Sequence, residues 1–230
     1  MSSRPLSTTG LVMPKDFDVE PYEAIHLRVS ASSKVYPDSW AQYAGAWNAV
    51  AYRFLSCVDH DRTFTESIQR AGDAPAQPER YIQERELFGF FVTGLAAIES
   101  LCYGLFAIAS MLDSQNFPIK TRSDMKSITP KKTAKQFKEA FPRESITTAL
   151  NKIVTAQEFR EWKEIRNILA HRVAPGRVFY LSTKGSTRAA LWETGIQLDK
   201  NTTASRREWL AKTINALLRE ADGFAKDHFL

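Results

Sequence analysis

The sequence predicts a mainly α fold: a helical bundle with a long central helix and a small β-hairpin placed after its most polar helix. Three observations predict it. Residues 87–112 are apolar nearly all round, as a helix at the centre of a bundle must be. Apolar residues recur at steps of three and four on both sides of that run, which gives it amphipathic partners. Two short runs rich in strand formers, Arg177–Ser182 and Thr187–Trp192, flank the turn Lys184-Gly185-Ser186, so a hairpin is expected within 177–193.

Composition sets the limits. The chain has 230 residues, 43% of them hydrophobic and 25% charged, which is ordinary for a globular protein with one sizeable core. A net charge of +5 suits a polyanionic partner without demanding one. The two cysteines, Cys57 and Cys102, sit in apolar helical surroundings and read as buried thiols of a reducing compartment, which points to the cytoplasm. The first ten residues lack a long apolar core, so no signal peptide is expected. No Cys/His group has ligand spacing, so no metal and no cofactor is expected.

In chain order, residues 1–37 carry Pro5, Gly10, Pro14, Pro21 and Pro37 and read as an irregular arm, held on the domain through Phe17, Tyr22 and Ile25. A single helical domain is expected over 38–230. Asp38-Ser39 is the expected cap of a helix carrying Trp40, Tyr43, Trp47, Val50, Phe54 and Val58, with His60 just past its end. Gly72, Pro75 and Pro78 mark residues 61–79 as a loop, or a short helix and a loop. The central helix starts near Glu79. Its apolar run is long enough to span a membrane, but Glu99 at the middle would cost about 3 kcal/mol there. Glu99 and the need of the other helices for a central partner favour a buried bundle helix and no membrane. A buried Glu99 needs a partner, either an arginine of the polar helix or a tyrosine or backbone group.

Residues 113–130 read as a polar connection ending in the cap Thr129-Pro130. Lys131, Lys132, Lys135 and Lys138 then give a basic helix face, either a contact surface for a phosphate backbone or a solvated face. Phe141-Pro142 ends that helix, and Ser145–Val154 form the next. Thr155 and Glu158 have capping-box spacing before a helix with the stripe Phe159, Trp162, Ile165, Ile168 and Leu169, closed by Pro175-Gly176. After the hairpin, Ser205 and Glu208 repeat that spacing ahead of a last amphipathic helix carrying Trp209, Ile214, Leu217, Leu218, Ala221 and Phe224.

The chemistry concentrates in Trp162–Arg172. Arg166 is followed by Asn167, and His171 comes five residues after the arginine. Glu164, Asn167, His171 and Arg160 fall opposite the apolar stripe, with Arg166 on the border. Arginine binds a phosphate with a fixed fork of donors, and histidine moves a proton near neutral pH. Together they form a minimum for cleaving RNA without a metal. The bland alternative is a solvated helix face in which Arg160 and Glu164 make a four-apart ion pair. Arg53 and His60 fit the looser spacing, but Phe54 follows that arginine and no polar face converges there.

The segment Arg166-Asn167-Ile168-Leu169-Ala170-His171 resembles the signature of the HEPN superfamily: an arginine, a polar residue, then a histidine four to six residues on. The resemblance implies a helical bundle over about residues 38–228. It also implies a metal-independent endoribonuclease acting as a homodimer, in which two motif copies line one cleft, in toxin–antitoxin, phage-defence or RNA-processing systems. On that reading Arg166, Asn167 and His171 are the catalytic candidates, and Glu164, Glu99 and Arg172 are supporting residues. Lys131, Lys132, Lys135 and Arg177 are the candidates for RNA contact, and an antitoxin or other regulatory partner is expected. The same family also holds non-catalytic binding and dimerisation modules, which is the alternative reading.

Overall fold

The architecture follows from a computed structural model, which describes residues 5–171, 176–181, 187–192 and 195–229, with the side chains of 171, 179–181 and 187–190 outside the description. The described chain runs α1 (Val19–Ala31), α2 (Pro37–Ala71), α3 (Gln77–Leu112), α4 (Arg122–Ser127), α5 (Pro130–Ala140), α6 (Ser145–Thr155), α7 (Gln157–His171), β1 (Arg177–Leu181), β2 (Thr187–Trp192) and α8 (Asn201–His228). It is mainly helical, with a single two-stranded antiparallel sheet among the described residues.

Helix α3 is the centre. It packs against α2, α5, α7 and α8, and 78% of its most apolar window lies inside the fold. Its length and hydropathy would let it cross a membrane, but here its apolar surface is covered by other helices. The α2–α3 pair is antiparallel and turns through Gly72, whose φ of +72° suits a residue without a Cβ. Cys57 and Cys102 are free and buried. Burial raises both thiols, Cys102 to about 12, so neither is a thiolate near neutral pH.

The N-terminal region departs from the expected irregular arm. Residues 19–31 form α1, with Pro21 inside its first turn, where a missing N–H costs nothing. Tyr22, Ile25 and Val29 are its buried face, and the Tyr22 hydroxyl donates to the Trp47 carbonyl at 2.9 Å. Helix α1 lies on α8. Asn215 of α8 clamps the entry to α1: its Oδ1 accepts from the Asp18 N–H at 2.9 Å, and its amide donates to the Asp16 carbonyl at 2.8 Å.

Four helix boundaries also differ from expectation. Helix α2 begins with Pro37 in its first turn, without a side-chain cap from Asp38 or Ser39. It then runs through the supposed loop to Ala71, because Asp61, Phe64 and Ser67 fall on its buried side. His60 therefore lies within it, 2.6 Å from the buried Glu86 carboxylate. Neither expected capping box forms among the described residues. The Thr155 hydroxyl donates back to the Asn151 carbonyl of α6, and Ser205 sits inside α8, donating to the Asn201 carbonyl. The predicted cap of α5 is present: the Thr129 hydroxyl accepts from the Lys132 N–H at 3.2 Å.

A cationic cleft beside the motif helix

Helix α7 is fixed by its apolar stripe: Phe159, Trp162 and Ile165 are buried. Trp162 is the anchor. Its indole N–H donates to the Phe91 carbonyl of α3 at 2.8 Å, and its ring stacks on Phe90 with centroids 5.2 Å apart. The ring also lies over Gly94, where an added Cβ would overlap it, so the absence of a side chain there sets how near α7 comes to α3. One helical turn beyond the tryptophan, Arg166 reaches Glu99 of α3, Nη2 to Oε1 at 2.9 Å.

This pair lines a solvent-open cleft of about 660 Å³. Its α2 side is made of small residues, among them Ala41, Gly45 and Ala49. Glu99, Ser100 and Tyr103 of α3 form a second wall, Phe159, Lys163 and Arg166 of α7 a third, and Lys131 at the start of α5 the rim. Arg53 of α2 enters as well, donating to the Ala96 carbonyl at 3.2 Å and to the Ser100 hydroxyl. Arg53, Lys131, Lys163 and Arg166 thus face a single lining carboxylate, Glu99. Only Arg166 is ion-paired with it. Arg53, Lys131 and Lys163 form no ion pair among the described residues. Arg166 Nε is buried with no hydrogen-bond partner among the described residues. Such a cleft concentrates positive potential where an anionic ligand can enter.

The other predicted site residues are spread more widely. Asn167 is half-buried and lines a neighbouring hollow of about 250 Å³ with Arg160, Glu164, Lys131 and Lys163. Arg160 and Glu164, the supposed ion pair, make none with each other among the described residues. Lys132 turns from the cleft to the Ser127 hydroxyl at 2.6 Å and lies over the Phe106 ring. Lys135 is exposed, with its Nζ 3.8 Å from Glu139. His171 ends α7, and its side chain, like the whole of Arg172, lies outside the described residues.

Arg177 does not lie on the expected RNA-contact surface. Its side chain is fully buried rather than turned toward a substrate. It donates to Glu84 at 2.5 Å, to the Gln83 side chain at 2.7 Å and to the Asp73 carbonyl at 3.0 Å. Trp192, paired with it across the hairpin, donates to the same Glu84 at 3.2 Å. Arg177 therefore fastens the hairpin to α3.

Arg53 and Lys163 are the cleft residues that sequence reasoning missed. Lys163 had a signal, since it precedes Arg166 by three positions and shares its helix face. Arg53 stood out only by its loose spacing to His60, which does not point to this cleft; the antiparallel register of α2 and α3 brings it to the Ala96–Ser100 turn. Among the described residues, no group of three or more His, Cys, Asp or Glu side chains is placed to hold a metal ion. No family model, no curated protein and no solved structure matches this chain.

Proposed function

We propose that the protein is an RNA endonuclease of the HEPN type, acting without a metal in the cytoplasm as a toxin or phage-defence effector under the control of an antitoxin or similar partner. The observation that supports this reading best is the placement of Arg166. The arginine of the Arg-Asn-x-x-x-His segment opens into a cleft that holds three further cations and can take a phosphate backbone. In the reaction, the RNA 2′-hydroxyl attacks the adjacent phosphorus. His171 moves the proton, Arg166 stabilises the charge gathering on the phosphoryl oxygens, and Asn167 orients the histidine or the substrate. The products are a 2′,3′-cyclic phosphate and a 5′-hydroxyl. One motif histidine per chain leaves the acid–base pair incomplete, so the active form is a homodimer that brings two motif helices together.

A second reading, a non-catalytic binding or dimerisation module, draws on one specific feature: Arg166 is already engaged by Glu99. The two readings separate in one assay. Purified wild type, Arg166→Ala and His171→Ala are incubated with a mixed RNA pool in EDTA. The nuclease reading predicts cleavage by the wild type and loss of at least a hundredfold in either variant. RNA that is bound but never cut by any of the three would favour the module.

A further inference from the structure

Glu99 and Ser100 are consecutive residues of α3, and each holds an arginine from a different neighbouring helix: Arg166 from α7 and Arg53 from α2. One turn of α3 therefore receives two guanidinium groups from opposite walls of the cleft. The partners are unequal. Glu99 neutralises Arg166, whereas Ser100 and the Ala96 carbonyl satisfy donors of Arg53 without neutralising its charge. Lys163, one turn before Arg166 on α7, is exposed and unpaired among the described residues. The Glu99 and Arg166 side chains keep 38% and 24% of their exposure, so water reaches the pair and an incoming anion can compete for it.

We infer that Glu99 is an internal counter-anion standing where a phosphodiester of RNA binds. The phosphodiester replaces Glu99 on Arg166 and is held from the opposite wall by Arg53, with Lys163 beside it. This rests on the reading that the cleft receives RNA, and it adds two things: Arg53 as a binding residue, and Glu99 as a brake on affinity. A free guanidinium fork donates to two phosphate oxygens side by side, which a carboxylate already seated on it prevents. Two arginines on opposite walls grip a backbone that runs along the groove, and the small α2 residues leave room for it. Glu99 and Arg53 therefore have opposite effects on binding: removing the carboxylate strengthens it, and removing Arg53 weakens it.

The test uses the full chain and a fluorescent 2′-O-methyl RNA oligonucleotide. This probe cannot be cut by 2′-hydroxyl attack, so affinity is read apart from cleavage. Anisotropy titrations compare wild type, Glu99→Gln and Arg53→Gln at several salt concentrations, with melting curves as the control for folding. Glu99→Gln is expected to tighten binding about fivefold, since a unit charge near the phosphate is removed. Arg53→Gln is expected to weaken it about fivefold and to lower the slope of log affinity against log salt by about 0.7, one phosphate contact on a single strand.

The inference is overturned if folded Glu99→Gln binds no tighter than wild type, or if folded Arg53→Gln keeps wild-type affinity and slope. Should Glu99→Gln not fold, the Arg53→Gln titration decides alone. The nuclease reading fails separately: tightening and weakening as expected, with no cleavage of natural RNA, would leave this site standing without the catalysis. Cleavage of natural RNA with unchanged affinities would do the reverse.

Discussion

Gly94→Ala is the most informative single substitution, because it acts on the contact that positions Arg166. In a helix interior the change from glycine to alanine is worth about 1 kcal/mol in favour of folding. At position 94 the new methyl group would overlap the Trp162 ring and approach Cys57 Sγ to 3.0 Å. Trp162 cannot swing aside without breaking its bond to the Phe91 carbonyl, so α7 must move away from α3. Overpacking of this kind costs about 1–3 kcal/mol, which, set against that gain, leaves a net loss of about 0–2 kcal/mol. Gly223→Ala in α8 is the control: an added Cβ there meets nothing within 4 Å, so that variant gains up to about 1 kcal/mol. The two identical substitutions should therefore differ by the overpacking cost, about 1–3 kcal/mol, or roughly 2–12 °C in Tm for a chain of this size. Thermal and urea unfolding of the three proteins reads this directly. A Gly94→Ala protein as stable as Gly223→Ala would show that the α3–α7 contact does not fix the position of the motif helix.

Two further outcomes follow from buried polar groups. Arg177→Met removes the cation that fastens the hairpin to Glu84 and Gln83; unfolding should show a loss of about 3 kcal/mol, with affinity for 2′-O-methyl RNA unchanged below the melting range. A drop in affinity without a drop in stability would return Arg177 to the RNA surface. His26, packed between Ser30 and the rings of Trp40 and Tyr43, has its pKa lowered by burial against a smaller opposing effect of Glu23. The folded protein therefore binds a proton less readily than the unfolded chain. This part of the stability is present above the ordinary histidine value of 6.5 and is lost as pH falls through the lower folded-state value. The urea midpoint should fall less between pH 7.5 and 5 in His26→Gln than in wild type, and an identical fall in both would rule His26 out as the source.

Much of this organisation is legible in the sequence where one local signal acts alone. The apolar run of α3, the stripe of α7, the Thr129-Pro130 start of α5 and the hairpin all follow from periodicity or turn chemistry. The misreadings arise where two physical meanings share one pattern. Pro21 and Pro78 resemble chain breakers but occupy first turns, where proline is compatible with a helix. Thr155 and Ser205 have capping-box spacing, yet each hydroxyl bonds to a carbonyl four residues back. The polar stretch after Val58 resembles a loop, but its buried face is held together by tertiary packing. Arg207 of α8, bonded to both Asp61 and Asp16, is part of that.

The cleft divides in the same way. Glu99 calls for a partner because a carboxylate in an apolar helix is costly, and Arg166 is that partner. Its 38% exposure shows that it is not the deeply buried charge the sequence suggests, because the cleft opens beside it. Arg53 reaches the same cleft from 113 positions before Arg166. No local pattern carries that information, since it depends on which turn of α2 faces which turn of α3.

The most direct test of the central claim is cleavage of a defined RNA beside the same RNA with one 2′-deoxy nucleotide on the 5′ side of the cut, both in EDTA, with the ends of the products analysed. Attack by the 2′-hydroxyl requires that the all-ribose strand is cut to a 2′,3′-cyclic phosphate and a 5′-hydroxyl, and that the single 2′-deoxy substitution abolishes that cut. Cleavage that persists at the substituted position, or that leaves a 5′-phosphate, would contradict attack by the 2′-hydroxyl and with it the roles given to Arg166 and His171.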